Sequence, residues 1–198
     1  MTANTPSRAA APADRPALHE EKLPALGAVR IVGLDPATDV GLVHRWVTQP
    51  RARYWGMLDH DREQVREIYE FVDSLPTHHA FLALCEGRPA ALFQSYEPEH
   101  DPVGECYDVL PGDHGLHLLI GPADGPPQPG YSRALLGVFL RYLLAGPDRR
   151  RIVAEPDARN DRAIALLQRC GFELGPEIDK PEKRARLVFL TREAAERA

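Results

Sequence analysis

The chain has 198 residues, 43% of them hydrophobic, with 24 Lys and Arg against 29 Asp and Glu for a formal charge of −5. That length and apolar share suit one domain with a sizeable core. The acidic balance argues against a nucleic-acid partner and sits better with a cationic small molecule. The 3 cysteines, Cys85, Cys106 and Cys170, are odd in number and form no Cys-x-x-Cys, which argues against a disulfide framework or a zinc ribbon. No long apolar run opens the chain, so neither a signal peptide nor a membrane span is expected, and the expected location is cytoplasmic.

Residues 1–17, "MTANTPSRAAAPADRPA", are Ala, Pro and small polar residues that bury too little apolar area to offset the entropy of ordering. They are expected as a disordered tail ahead of a single domain over 18–198. Short runs at 18–23 and 28–34 read as a hairpin. "ATDVGLVHRWVTQP" reads as a short amphipathic helix stopped by Pro50. "DREQVREIYEFVDSL" reads as a second helix, with Val65, Ile68, Tyr69 and Val72 on one side. "HHAFLALCEG" and "PAALFQSYEPE" form a hairpin about "EGRP". A polar loop, "EHDPVGECYDVLPGD", leads to "HGLHLLIG", a short apolar run read as a central strand. "PADGPPQPGYS" must be a loop, "RALLGVFLRYLLA" a periodic helix, "RRRIVAEP" a strand and "KRARLVFLTR" a final strand. Between those last two lies "EPDARNDRAIALLQRCGF", where Asn160 or Asp161 caps a helix and Gly171 suits the left-handed position after it. The order predicts an α/β or α+β fold, a mixed central sheet with helices on both faces.

Three features point to chemistry. The Gly- and Pro-rich loop before "RALLGVFL" opens a helix, where free backbone N–H groups and the helix dipole favour an anion such as a pyrophosphate. It is neither a Walker A loop nor a GxGxxG, and it reads equally as a long turn. In "DHGLHLLIG", His114 and His117 point to opposite faces of a strand, so they do not share a metal and no metal site is expected. His117 reads as a core histidine or as a site residue. "EPDARN" places Asp157 and Asn160 at a strand end beside a helix start, as a capping cluster or as one wall of a crevice.

Together these pieces resemble the GCN5-related N-acetyltransferase (GNAT) fold, whose late "N…A…L…GF" motif falls here on Asn160, Ala163, Leu167, Gly171 and Phe172. "HRWVTQPRARYWGM", "SYEPEHDPVGECYDVLPGDHGLHLLIGP" and "EPDARN" are similar to the siderophore-biosynthesis branch of that superfamily over about residues 18–192. That branch acylates the hydroxylamine of N6-hydroxylysine, N-hydroxycadaverine or close relatives to hydroxamates. The resemblance implies an acyl-CoA co-substrate (acetyl, succinyl or malonyl), a small-molecule hydroxylamine or amine acceptor, and a monomer or homodimer. Aminoglycoside 6′-N-acetyltransferases are the alternative.

The resemblance further implies a catalytic pair, His117 and Asp157, that hydrogen-bonds the acceptor nitrogen and takes its proton. Histidine suits that work because it ordinarily titrates near neutral pH. Backbone amides at Leu118 or Leu119 polarise the thioester carbonyl. Gly130, Tyr131, Ser132 and Arg133 hold the CoA pyrophosphate, with Arg133 supplying the charge where "QPGYSR" departs from the family's Gly-x-Gly, and Asn160 lies near the CoA arm. Trp55, Met57, Tyr96 and Tyr107 are expected to wall the acceptor pocket. Glu97, and with it Asp101, is expected either to bind a far ammonium or to sit in a solvated loop. His44 and Trp46, on a helical face, and Cys170 are expected in the core.

Overall fold

The computed structural model describes residues 10–123, 125–126 and 128–197. Eight strands form one sheet in the order β1–β2–β3–β4–β5–β6–β8–β7. They are β1 His19–Leu23, β2 Gly27–Gly33, β3 His78–Cys85, β4 Arg88–Tyr96, β5 Asp113–Ile120, β6 Arg151–Ala154, β7 Glu173–Lys180 and β8 Lys183–Thr191. Every neighbouring pair is antiparallel except β5–β6. The helices are α1 Pro36–Val47, α2 Arg62–Ser74, α3 Tyr131–Leu144, α4 Asp161–Arg169 and α5 Arg192–Arg197. α1 and α2 cover one face, where Val43, Trp46, Val65 and Tyr69 pack on Leu82, Leu92 and Leu119. α3 and α4 cover the other, where Leu135, Phe139 and Leu167 pack on Ile31, Phe93 and Leu116.

Local chemistry sets the helix boundaries. α2 begins with a capping box, Asp61 and Gln64 each bonding the other's backbone N–H. α4 begins at Asn160, whose Oδ1 accepts from the Ala163 N–H at 3.3 Å. It ends in a Schellman turn: the Gly171 N–H donates to the Gln168 carbonyl at 3.0 Å and that of Phe172 to Leu167 at 3.1 Å. Gly171 sits at φ 92°, the left-handed region that a side chain disfavours. Buried Phe172 then carries the chain back into the core.

Three features depart from the sequence expectation. The expected tail over 1–17 lies outside the described residues from 1 to 9, but residues 12–14 form a 3-10 turn and Arg15 docks on the domain. The Arg15 guanidinium meets Asp39, 2% exposed, at 2.5 and 2.8 Å and also bonds the Gly33 carbonyl. Its anchor is a charge pair, which apolar patterning does not reveal. The second departure is β7, an edge strand that carries Pro176 and buries little. The third is the short α5 that follows β8. No described helix is long and apolar enough to cross a membrane.

The feature that makes a site is the parting of β5 and β6. They pair only over Asp113–Gly115 and Arg151–Val153, although β5 continues to Ile120. Beyond that point β6 follows β8, whose antiparallel register with it runs to Ala154 and Val188. At Gly115 the two strands are still joined, and an added Cβ there would strike the Tyr96 ring at 2.1 Å, so only glycine fits under that ring.

Candidate active site

A cavity of about 380 Å³ occupies the gap where β5 and β6 part. It is lined by Leu116 and Leu118 from one face of β5 and by His117 and Leu119 from the other, which only an opening between strands permits. Ala154, Glu155, Pro156 and Asp157 form the opposite bank, and the segment Arg51–Met57 closes the α1 side. Of the residues expected from sequence, Trp55, Met57, Tyr96, His117, Leu118, Leu119, Asp157 and Asn160 all border this cavity.

His117 bridges the two banks. Its Nε2 meets Glu155 Oε1 at 2.8 Å, and its Nδ1 faces Gln94 Oε1 at 3.2 Å. The ring lies 4.9 Å from Tyr96 and edge-on to Trp55 at 6.4 Å. His117 is about a third exposed and Glu155 is fully buried. Tyr96 Oη donates to the other Glu155 oxygen at 2.8 Å. Lys180 lies 3.4 Å from Oε1, and Lys183 lies 3.6 Å from it while donating to the Glu155 carbonyl at 2.9 Å. Burial pushes the Glu155 carboxyl pKa up. His117, Lys183 and Lys180 together outweigh that and hold it well below the usual carboxylate range, so Glu155 is a buried carboxylate anion.

The residue coupled to His117 is thus Glu155 rather than Asp157. Asp157 is buried, but both its oxygens are taken by Arg159, at 2.9 Å from Nε and the backbone N–H and 2.8 Å from Nη2. Hydrogen bonding to Arg159 lowers its pKa against the opposing effect of burial. Sequence placed both acids at the strand end. Only the fold shows which one turns inward, because the groups that hold Glu155 come from β4, β5, β7 and β8.

Neither Glu97 nor Tyr107 lines the cavity: the expected place of Tyr107 in the acceptor pocket is corrected, and of the two places expected for Glu97 the structure shows the solvated loop, not the substrate site. Glu97 is half exposed and lies beside His100 at 3.8 Å, turned out by the 3-10 helix Pro98–His100. Tyr107 buttresses the sheet instead. It donates to Asp113 at 3.1 Å and meets Phe189 edge-on at 5.6 Å. Burial, with Asp113 beside it, pushes its phenol well above the usual range. Trp46 and Cys170 are core residues as expected. His44 lies half-buried, its Nε2 3.2 Å from the His60 carbonyl.

The donor side follows from strand alternation. The Gly121 N–H donates to the Ala90 carbonyl at 2.8 Å, so by period two the amides of Leu119 and His117 also face β4. The Leu118 N–H therefore faces away from β4, into the gap. Between the two expected amides, Leu118 and Leu119, geometry selects Leu118. Arg51 reaches across to the Ile120 and Gly121 carbonyls on the same edge. From there the chain runs to Gly130, which precedes α3 at φ 79°; the Tyr131 N–H that opens the helix donates to the Gln128 carbonyl at 3.2 Å, and no side chain caps the helix. Tyr131 and Ser132 open α3, and Gly130 and Arg133 border a second groove along it.

A family model described as an acetyltransferase (GNAT) domain matches residues 35–180. N(6)-hydroxylysine O-acetyltransferase of Escherichia coli is 31% identical over 160 residues, covering 80% of this chain and 50% of that protein. The chain thus spans about half the length of that relative. Aminoglycoside N(6′)-acetyltransferase type 1 of Klebsiella pneumoniae is 23% identical, covering 80% of this chain and 81% of that one. Among solved structures, aminoglycoside acetyltransferase AAC(6′)-Ib in complex with acetyl-CoA superposes with a TM-score of 0.75 at 24% identity, over 86% of this chain and 97% of that one. The strand order, the parted β5–β6 pair and the match over residues 35–180 give one conclusion: the chain belongs to the GNAT acetyltransferase family.

Proposed function

We propose that this protein is an acyl-CoA-dependent N-acyltransferase that converts the hydroxylamine of an N-hydroxylated diamine or lysine to a hydroxamate, a step of siderophore assembly. One observation carries the reading. A single cavity holds both an outward strand amide, at Leu118, and a histidine fixed by a buried carboxylate, His117 on Glu155. The relative from Escherichia coli supports the acceptor class.

The residues fit an acyl-CoA. The parted edge of β5 offers the Leu118 N–H to a carbonyl, and the N-terminal end of α3, at Gly130 to Arg133, presents the helix dipole and the Arg133 charge to a pyrophosphate. When bound, acyl-CoA would supply an activated thioester, whose C–S bond breaks as the N–C bond forms, so that coenzyme A leaves as its thiol with the proton that the acceptor nitrogen gives up. A hydroxylamine is weakly basic and already neutral near pH 7, so the protein must supply a proton acceptor as the N–C bond forms, and a donor for the oxyanion. Leu118 is that donor. His117 takes the proton on Nδ1: its Nε2–H is held by Glu155, and once Nδ1 is protonated its N–H donates to Gln94 Oε1, the oxygen it faces at 3.2 Å. Asp157, both of whose oxygens Arg159 occupies, forms part of the wall of the same cavity.

Coenzyme A release decides the reading. Acetyl-, malonyl- and succinyl-CoA are tested against N6-hydroxylysine, N-hydroxycadaverine and an aminoglycoside. The expected result is turnover with a hydroxylamine, and a loss on the order of 10² in His117→Ala with the melting temperature kept. Turnover confined to the aminoglycoside would overturn the hydroxylamine assignment.

A further inference from the structure

We infer that Asp101 anchors a second, cationic amine at the far end of the acceptor, so that the enzyme selects chain-like acceptors carrying two nitrogens. This rests on the acceptor site proposed above. Among the described residues, the cavity wall carries the carboxylates of Asp101, Glu155 and Asp157. Glu155 is saturated by Tyr96, His117 and two lysines, and Asp157 by Arg159. Asp101 is different. Its Oδ1 accepts from the Val103 N–H at 2.9 Å, while the nearest basic side chain to its Oδ2 is His78, whose Nε2 lies at 3.6 Å, beyond hydrogen-bond length. Lys180 is close enough to feel Asp101, but its ammonium is engaged by Glu155 at 3.4 Å and Glu182 at 3.3 Å. One oxygen of a largely shielded carboxylate is thus left for a ligand.

The path between Asp101 and His117 defines the ligand. The Tyr96 ring lies 4.9 Å from the His117 ring, and the His78 ring stacks on Tyr96 at 5.7 Å, with Asp101 beyond it. A nitrogen reacting at His117 is therefore two ring widths from the carboxylate. Met57, Ile68 and Val72 line the same cavity, so the span is flanked by apolar side chains. A flexible aliphatic stem with a charge at its end matches that path. The cation is an ammonium, whose charged hydrogen bond to a partly buried carboxylate is among the stronger kinds.

The test compares N-hydroxycadaverine with N-pentylhydroxylamine, which has the same stem and no second amine, and cadaverine with pentylamine. Each is titrated by calorimetry and, with acyl-CoA, assayed for coenzyme A release in wild type and Asp101→Asn. Asparagine keeps the acceptor for the Val103 N–H, so the fold is retained. Wild type should bind the two-nitrogen member of each pair about 10- to 100-fold more tightly, and Asp101→Asn should erase that preference without changing affinity for the one-nitrogen member. Equal affinity within both pairs in wild type, or an unchanged preference in the variant, would overturn the inference. Refusal of both hydroxylamines with acceptance of cadaverine would sink the hydroxylamine reading while leaving Asp101 supported. Failure of all four to bind would overturn both.

Discussion

Replacing Glu155 by glutamine tests whether the buried charge organises the site. The substitution keeps shape and size but removes the negative charge that His117, Lys180 and Lys183 share. Removing one partner of a buried ion pair costs about 3–5 kcal/mol, because the remaining charges stay desolvated. Both lysines keep other partners here: Lys183 retains the Glu155 backbone carbonyl and Lys180 retains Glu182. The lower end, about 3 kcal/mol, is therefore expected. For a domain of this size that lowers the melting temperature by roughly 6–12 °C. Tyr96→Phe removes one hydrogen bond to the same carboxylate but leaves its charge, and should cost about 1–3 kcal/mol. Calorimetric melts of the two variants measure the difference, and coenzyme A release per folded molecule measures the effect on His117, expected on the order of 10² for Glu155→Gln. A melting temperature within about 2 °C of wild type, with turnover retained, would refute the view that a carboxylate anion holds this site together.

Leu118→Pro should remove the amide that faces the gap while sparing the β4–β5 ladder, whereas Leu119→Pro should break that ladder and unfold the protein; turnover of the first should fall about 10²–10³-fold against a Leu118→Ala control that keeps the N–H. His114 sits 9% exposed with its Nε2 unpartnered among the described residues. Burial, with Arg149 and His79, lowers its pKa from the ordinary 6.5 to about 4. The unfolded chain therefore binds this proton more readily, and stability contributed by neutral His114 is present above pH ~6.5 and lost by about pH 4, a change of roughly 3 kcal/mol. Denaturant midpoints of wild type and His114→Gln across that window measure it, and parallel curves would contradict the assignment.

Much of the molecule was legible from residue order because the signals were local. Helical spacing in "DREQVREIYEFVDSL", turn residues in "EGRP" and the capping Asn160 with Gly171 each act within a few positions, and each element stands where those signals place it. β7 escaped because it is an exposed edge strand, so neither an apolar run nor clean alternation marks it. The family resemblance suggests Tyr107 as an aromatic wall of the pocket and Glu97 as a site for a far ammonium or part of a solvated loop, and residue order alone does not show which way either side chain turns. The two 3-10 turns at Pro98–His100 and Pro102–Cys106 rotate both away. Glu155 was missed for the opposite reason. An acid before Pro156 looks solvated, and its burial depends on Tyr96, 59 residues away, and on Lys180 and Lys183, 25 and 28 residues away.

The same residue explains why the gap can exist. A parallel pair that stops after three residues exposes strand edges, which is costly unless something else joins the two halves of the sheet. Below the parting, Arg151 of β6 grips Asp113 of β5 at 2.6 and 2.7 Å. At the parting, Glu155 continues from β6 and holds Tyr96 of β4 and His117 of β5, each at 2.8 Å. Further out, Tyr54 bonds the Arg159 carbonyl at 3.0 Å, and Arg51 of the same segment bonds the Ile120 carbonyl. Side chains thus replace the backbone ladder where the strands diverge. They leave the Leu118 amide open while fixing the histidine beside it, so the bonds that stabilise the parted sheet are also those that position its chemistry.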